Sequence, residues 1–423
     1  MADVNFTTTD FTISTGTGTQ DVTVSGMSAS GDIKAVIFIC SGGTVDGTAA
    51  ADARMSVGFS DGTTDYVGST WVDDGQTTTN ATRHLRSDGV IAMYTDITLD
   101  HIFSVNSFIT DGVRLDIDNQ AATAFYCTVV FIHGTDVTNA SVGEVNLGTG
   151  TAAIDITAPA FEPDIVFLLN SGTSSAPPNA EGNSSFGFGC AINDGSASQA
   201  CAAFGSQDNQ SDSSNSITMI RNDRISTLVF NNNPQYDVLL SDFDANGFSL
   251  TPSLSAGSDR IFYLALAFSN SPDIDLVNMS YPTSGDYAET TPGFQPDFGM
   301  IVQTGDGNTI NTKNGVGGSF SIAVFDDTNI FTDTITDEDG ITLPGGTTNA
   351  QSLHSSSLKI LSEDGATTLV EASGYAFDSS GVDFTLTTNP FPAELGWALY
   401  VGQAAGGGGG PIEIEVLPGG TPY

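Results

Sequence analysis

Few residues in this chain have the types and spacing that chemistry requires. Gly58–Gly62 reads GFSDG, a formal match to the GxSxG turn that raises a serine nucleophile between a strand and a helix. No helical pattern follows it, and alignment of the chain against itself sets Ser60 opposite Asn193 and Phe325 at a hairpin tip. The expectation is a turn, with no catalytic residue. Asp242, Asp244 and Asn246 before Gly247 form the first half of a calcium loop, with oxygen donors at alternate positions. The closing glutamate of such a loop falls at Ser253, and the aligned segments read FITDG and FDSSG. Asp242, Asp244 and Asn246 are therefore the calcium candidates, against a solvated turn built around a shared glycine. No cysteine or histidine spacing matches a metal site, and no cofactor motif occurs.

Four cysteines occur. Cys40 and Cys127 lie in apolar runs and read as buried thiols. Cys190 and Cys201 flank the turn NDGSAS almost symmetrically, so they either face each other across a hairpin and oxidise or remain two free thiols. The opening MADVNFTTTD has neither a basic start nor an apolar centre, and no apolar run approaches the roughly 20 residues of a membrane helix. The expectation is a protein folded in a reducing cytosol and not inserted in a membrane.

Ten Lys and Arg stand against 50 Asp and Glu, a net charge of −40. Such a surface repels phosphate backbones, which argues against nucleic acid as a partner. Five of the ten cations, Arg83, Arg86, Arg221, Arg224 and Lys359, fall in one recurring segment: TRHLRSDGV, MIRNDRIST and HSSSLKILS. They either neutralise acids within their own unit or dock an acidic neighbouring subunit through bidentate guanidinium–carboxylate pairs.

The elements that would position these residues follow from a period near 133 residues. GTGT at Gly16–Thr19 recurs at Gly148–Thr151, and the apolar strands AVIFIC, IVFLLN and FGMIVQ begin at Ala35, Ile165 and Phe298. Two of them are entered through FEPD and FQPD, where proline forces extended geometry and stops ladder pairing. A hairpin tip follows in each copy, then a Phe four residues before a Gly (Phe108, Phe243, Phe377), then a closing strand in which Tyr126, Tyr263 and Trp397 align. Apolar runs of five to eight residues, β-branched and aromatic, separated by Gly/Asp/Asn turns, predict an all-β chain. The organisation expected is three tandem β-sandwich, jelly-roll-like domains at residues 1–137, 138–272 and 273–403. Residues 404–423 form a glycine-rich linker and a bracketed segment, PIEIEVLP. There Ile412, Ile414 and Val416 alternate with glutamates as a strand added to a sheet edge would; the alternative is a disordered tail.

GFQPDFGM at Gly293–Met300 and FDANGF at Phe243–Phe248, with the closing strands, resemble a repeat seen in tailed-bacteriophage virion proteins. Asn170 and Gln303 stand where such repeats often carry a basic or aromatic residue. The resemblance implies a non-enzymatic structural component of a virion, a tail fibre or spike or a capsid-decorating protein, made in the host cytoplasm. Its partners would be other virion proteins and copies of itself. The alternative is an adhesin module that binds a host-surface glycan.

Overall fold

The computed structural model describes residues 4–402, apart from residues 28–31, 174–175, 196, 211–215, 231–232, 255–258, 306–309, 315–316, 339–347, 363, 366 and 389–394. Every regular element among the described residues is a β-strand, and all ladders are antiparallel. The predicted segment with Ile412, Ile414 and Val416 lies outside the described residues.

The strands form six sheets in three pairs. In the first unit the large sheet runs, in spatial order, Asn5–Thr12, Tyr126–His133, Ile33–Ser41, Ala53–Ser60, Asp65–Val72 and Ala81–Arg86. The small sheet runs Gly18–Thr23, Gly112–Asn119, Thr98–Ile109 and Ile91–Thr95. The second and third units repeat this order, beginning with Val137–Asn146 and Asp273–Ser280.

The proline-stopped entry works as its chemistry suggests. After Pro163, the Asp164 amide donates to the Leu266 carbonyl, and the Asp164 carbonyl accepts from the Asn193 amide. Ile165–Asn170 then runs wholly buried between two neighbouring strands. Both faces of this strand are apolar because the large sheet is a middle layer. Val166 and Leu168 face the small sheet, whereas Ile165, Phe167 and Leu169 face a second core shared by all three large sheets. Ile37 and Ile39 in the first unit and Met300 and Val302 in the third face the same way. Phe188 joins the units at this shared core. Its ring centroid lies 6.3 Å from Phe59 of the first unit, 6.0 Å from Phe167 of its own and 6.1 Å from Trp397 of the third.

Each large sheet has a seventh strand supplied by another unit. Asn179–Gly182 of the second unit extends Ala81–Arg86 of the first, and Lys313–Asn314 of the third extends Ser216–Arg221 of the second. Ala50–Ala51 of the first extends Ala350–Ser355 of the third. The donation is cyclic, so the three units close into a ring and each covers an edge that would otherwise invite pairing with another chain.

Ladder register corrects one expectation about the cysteines and decides between the two readings of the other pair. Cys40 lies directly opposite Cys127 and is disulfide-bonded to it, so these are not thiols. Cys190 faces Ala200 and Cys201 faces Gly189, one position out of step, so their side chains point to opposite faces of the sheet; both are free and buried. The aromatics of the closing strands are not equivalent either. Trp397 packs in the shared core, Tyr263 packs inside its own sandwich, and Tyr126 stacks on His354.

The glycine that ends each Phe-x-x-x-Gly turn has a packing reason. A Cβ on Gly112, Gly247 or Gly381 would sit 2.0, 1.8 and 1.8 Å from the carbonyl oxygens of Val22, Ile156 and Glu289, on the adjoining strand of the small sheet.

Candidate functional site: the junctions between units

Arg83 is held where the second unit donates its strand to the first. Its guanidinium donates to Glu181 at 2.7 Å, to the carbonyls of Gly172 at 3.1 Å and Gly182 at 2.5 Å, and to the Asn183 carbonyl at 3.1 Å. Burial pushes its pKa down and Glu181 opposes that shift. Multiple carbonyl acceptors and one carboxylate satisfy a guanidinium that would be costly to bury bare. Lys359 also reaches across a junction, its Nζ 3.2 Å from the Gly47 carbonyl of the first unit.

The other cations of the recurring segment act locally. Arg86 grips Asp88 through two hydrogen bonds of 2.8 and 2.6 Å and donates to the Tyr94 hydroxyl at 3.2 Å. Burial disfavours its charge, but these partners outweigh it and raise its pKa. Arg221 pairs with Asp223 at 2.8 Å and with Asp237 at 2.9 Å, and Arg224 with Asp223 at 3.2 Å. Arg54, Arg114 and Arg260 have carboxylate partners as well, Arg54 through Asp52 and Asp100, Arg114 through Asp21 and Arg260 through Glu144. All seven arginines are thus engaged in intramolecular pairs.

The junction between the third and first units is built differently, from residues that no sequence signal singles out. Asp333 is 1% exposed and accepts from the Ser41 amide at 3.1 Å, the Ser41 hydroxyl at 2.8 Å and the Thr128 hydroxyl at 2.8 Å. His354, fully buried, places Nδ1 3.2 Å from Asp333 and Nε2 3.5 Å from Asp10 of the first unit. Its ring stacks on Tyr126 at 4.8 Å. Burial disfavours the imidazolium, yet Asp333 and Asp10 outweigh it and lift its pKa to about 10. Nearby, the Thr8 amide and hydroxyl donate to Asp326 at 2.7 and 3.1 Å. The contrast with His84 is instructive. Buried against Tyr94 with no carboxylate beside it, that imidazole is pushed down to about 3 and is neutral.

The calcium candidates do not converge. Among the described residues no group of three or more His, Cys, Asp or Glu side chains could hold a metal ion. Asp244 accepts from the Ser249 hydroxyl at 2.7 Å, while Asp242 lies at an irregularity of the ladder. Nor does GFSDG make an elbow. Gly58 is required because a Cβ there would fall 2.0 Å from the Val90 carbonyl, and the Ser60 hydroxyl accepts from the Gly62 amide at 3.0 Å.

No protein-family model and no curated protein matches this chain. Clefts among the described residues offer places for a small partner, and two of them bear on the readings above. One, of about 390 Å³, lies at the third junction and is lined by Asn5, Phe6, Thr7, Asp297, Asp326, Asp327 and Thr328. The other, of about 310 Å³, lies in the first unit, where Arg54, Asp100, Thr95, Thr123 and Phe125 meet. No helix of the described residues is long and apolar enough to cross a membrane.

Proposed function

We propose that the chain is a non-enzymatic structural component of a bacteriophage virion, carried on the particle surface as a decorating protein or as part of a tail fibre or spike. The observation that carries this reading is the cyclic strand donation, by which three like units in one chain make a closed pseudo-threefold body. Such a body is what a threefold position accepts, and fusing the three units removes the entropy of gathering separate subunits. The acidic exterior and the presence of only two large exposed hydrophobics among the described residues, Val45 and Ile97, support a surface that faces water and meets its neighbours through polar contacts. The likeness of GFQPDFGM and FDANGF to virion repeats points the same way.

A second reading, a host-surface glycan-binding module, is favoured by the cleft of the first unit. Threonine hydroxyls, the paired Arg54 and Asp100, and Phe125 offer donors, acceptors and an apolar wall of the kind a sugar uses. The two readings separate in one experiment. Purified particles are assayed for stoichiometric content of this chain, and the isolated protein is tested on a glycan array. Fixed stoichiometry without glycan binding supports the structural reading; absence from particles together with specific glycan binding replaces it with the second.

A further inference from the structure

The ring has three junctions, and among the described residues the chain passes from one unit to the next at two of them. His133 leads through residues 134–136 into the strand Val137–Asn146, and Phe268 leads through residues 269–272 into Asp273–Ser280. Where the third unit meets the first, no such connection passes among the described residues.

Ladder register gives the equivalent positions at the three junctions. Counted outward from Ile39, Leu169 and Val302, the same pair of facing residues is Gly68 and Leu85 in the first unit, Ala202 and Ile220 in the second, and Asp333 and His354 in the third. The first two pairs belong to the apolar shared core. A Cβ on Gly68 would lie 3.2 Å from Leu169 of the second unit, and the strands carrying Ala202 and Ile220 pack on the third. Only the unlinked junction replaces this apolar pair with a buried ionic one.

We propose that this seam is the opening point of the ring, and that the proton on His354 is its latch. The groups around the imidazole come from every element packed on it. They are Asp333 from the strand Ile330–Asp337, Asp10 from Asn5–Thr12, Tyr126 from Tyr126–His133 and Asp46 from the loop that donates Ala50–Ala51, with the hydroxyls of Ser41 and Thr128 behind Asp333. Asp46 is itself tied to Ser356 by bonds of 2.8 and 2.5 Å. With the proton present, one cation offsets carboxylates from both sides of the seam. With it removed, buried Asp333 and half-buried Asp10 flank a neutral ring with no countercharge between them, a state that burial of Asp333 penalises heavily. At the two linked junctions the equivalent positions are apolar, and the ion pair that crosses the first of them, Arg83–Glu181, rests on a guanidinium and not on an imidazole; these junctions stay closed.

The test follows the full chain by solution scattering from neutral to strongly alkaline pH, with the His354 ring carbon read by NMR on the same samples. The wild type is expected to be compact at neutral pH and to expand reversibly, by about 1.2- to 1.5-fold in radius of gyration on size scaling. The expansion is expected in step with loss of the His354 proton, near pH 10. The double variant Asp333→Ala with His354→Ile, which transplants the pair of the second unit, is expected to stay compact over the same range. A wild type that remains compact after the His354 signal has titrated overturns the proposal, as does a double variant that expands at the same pH as the wild type. Should the double variant fail to fold, the wild-type comparison of NMR signal and expansion decides alone.

Discussion

Replacing Phe188 by alanine tests whether the three units share one core. The side chain is fully buried, and its ring packs among Phe59, Phe167 and Trp397, so truncation leaves a hole bordered by all three units. Phe→Ala at such a site costs about 3–5 kcal/mol, since neighbours in three separate sheets relax poorly into the space. With a urea slope of about 4 kcal/mol per M, scaled up for a chain that exposes this much surface, the unfolding midpoint falls by about 1 M. The two tryptophans supply the probes, Trp71 in the first unit and Trp397 in the third. In backgrounds carrying W397F or W71F, each remaining tryptophan reports its own unit. Both transitions are expected to shift together by the same amount. A Trp71 transition that stays put in F188A would refute the reasoning, because the first unit would then be stable without the shared core.

Other outcomes follow from single sites. G112A, G247A and G381A each drive a methyl into a strand carbonyl, and each is expected to lower stability by about 1–3 kcal/mol in thermal unfolding, with alanine at exposed Gly150 as an innocuous control. Thiol titration is expected to find two reactive cysteines after denaturation without reductant and none in the native protein, because burial of Cys190 and Cys201 pushes both thiols up; four reactive thiols would exclude the Cys40–Cys127 bond. Burial, with Asp52 beside it, raises Asp73 to about 6. A carboxyl raised above its unfolded value costs stability as pH climbs through that interval, so D73N is expected to raise the melting temperature at neutral pH and to give no gain near pH 4. R221E sets a carboxylate against buried Asp237 and is expected to destabilise the fold itself, measured by melting, before any assembly is disturbed.

Much of the local structure was legible in the residues. Ile165–Asn170 and its proline-stopped entry, the alternating strands and the obligatory Gly112, Gly247 and Gly381 each follow from short-range sterics or from a period of two. The third layer was not, because a run buried on both faces reads the same whether its second face meets a small sheet or a neighbouring unit. The donated strands were hidden for a related reason. Asn179–Gly182 and Ala50–Ala51 are too short to alternate, and they sit in segments rich in Gly, Asn, Ala and Pro that resemble turns. Cys40 and Cys127 pair across 87 residues through ladder register, which spacing does not reveal, whereas the near symmetry of Cys190 and Cys201 about their hairpin misses by one residue and leaves them as two free thiols. At the candidate site, the recurring basic segment did mark a junction through Arg83. The ionic seam of Asp10, Asp333 and His354 draws from opposite ends of the chain, and only the closed ring brings them together.

The most direct measurement of the central claim is a density map of the native assembly that contains this chain. The expected density is one three-lobed body per chain, its pseudo-threefold axis along the particle surface normal and the seam between first and third units closed. Three separated sandwiches strung along a fibre, or a particle in which the chain is absent, would contradict it.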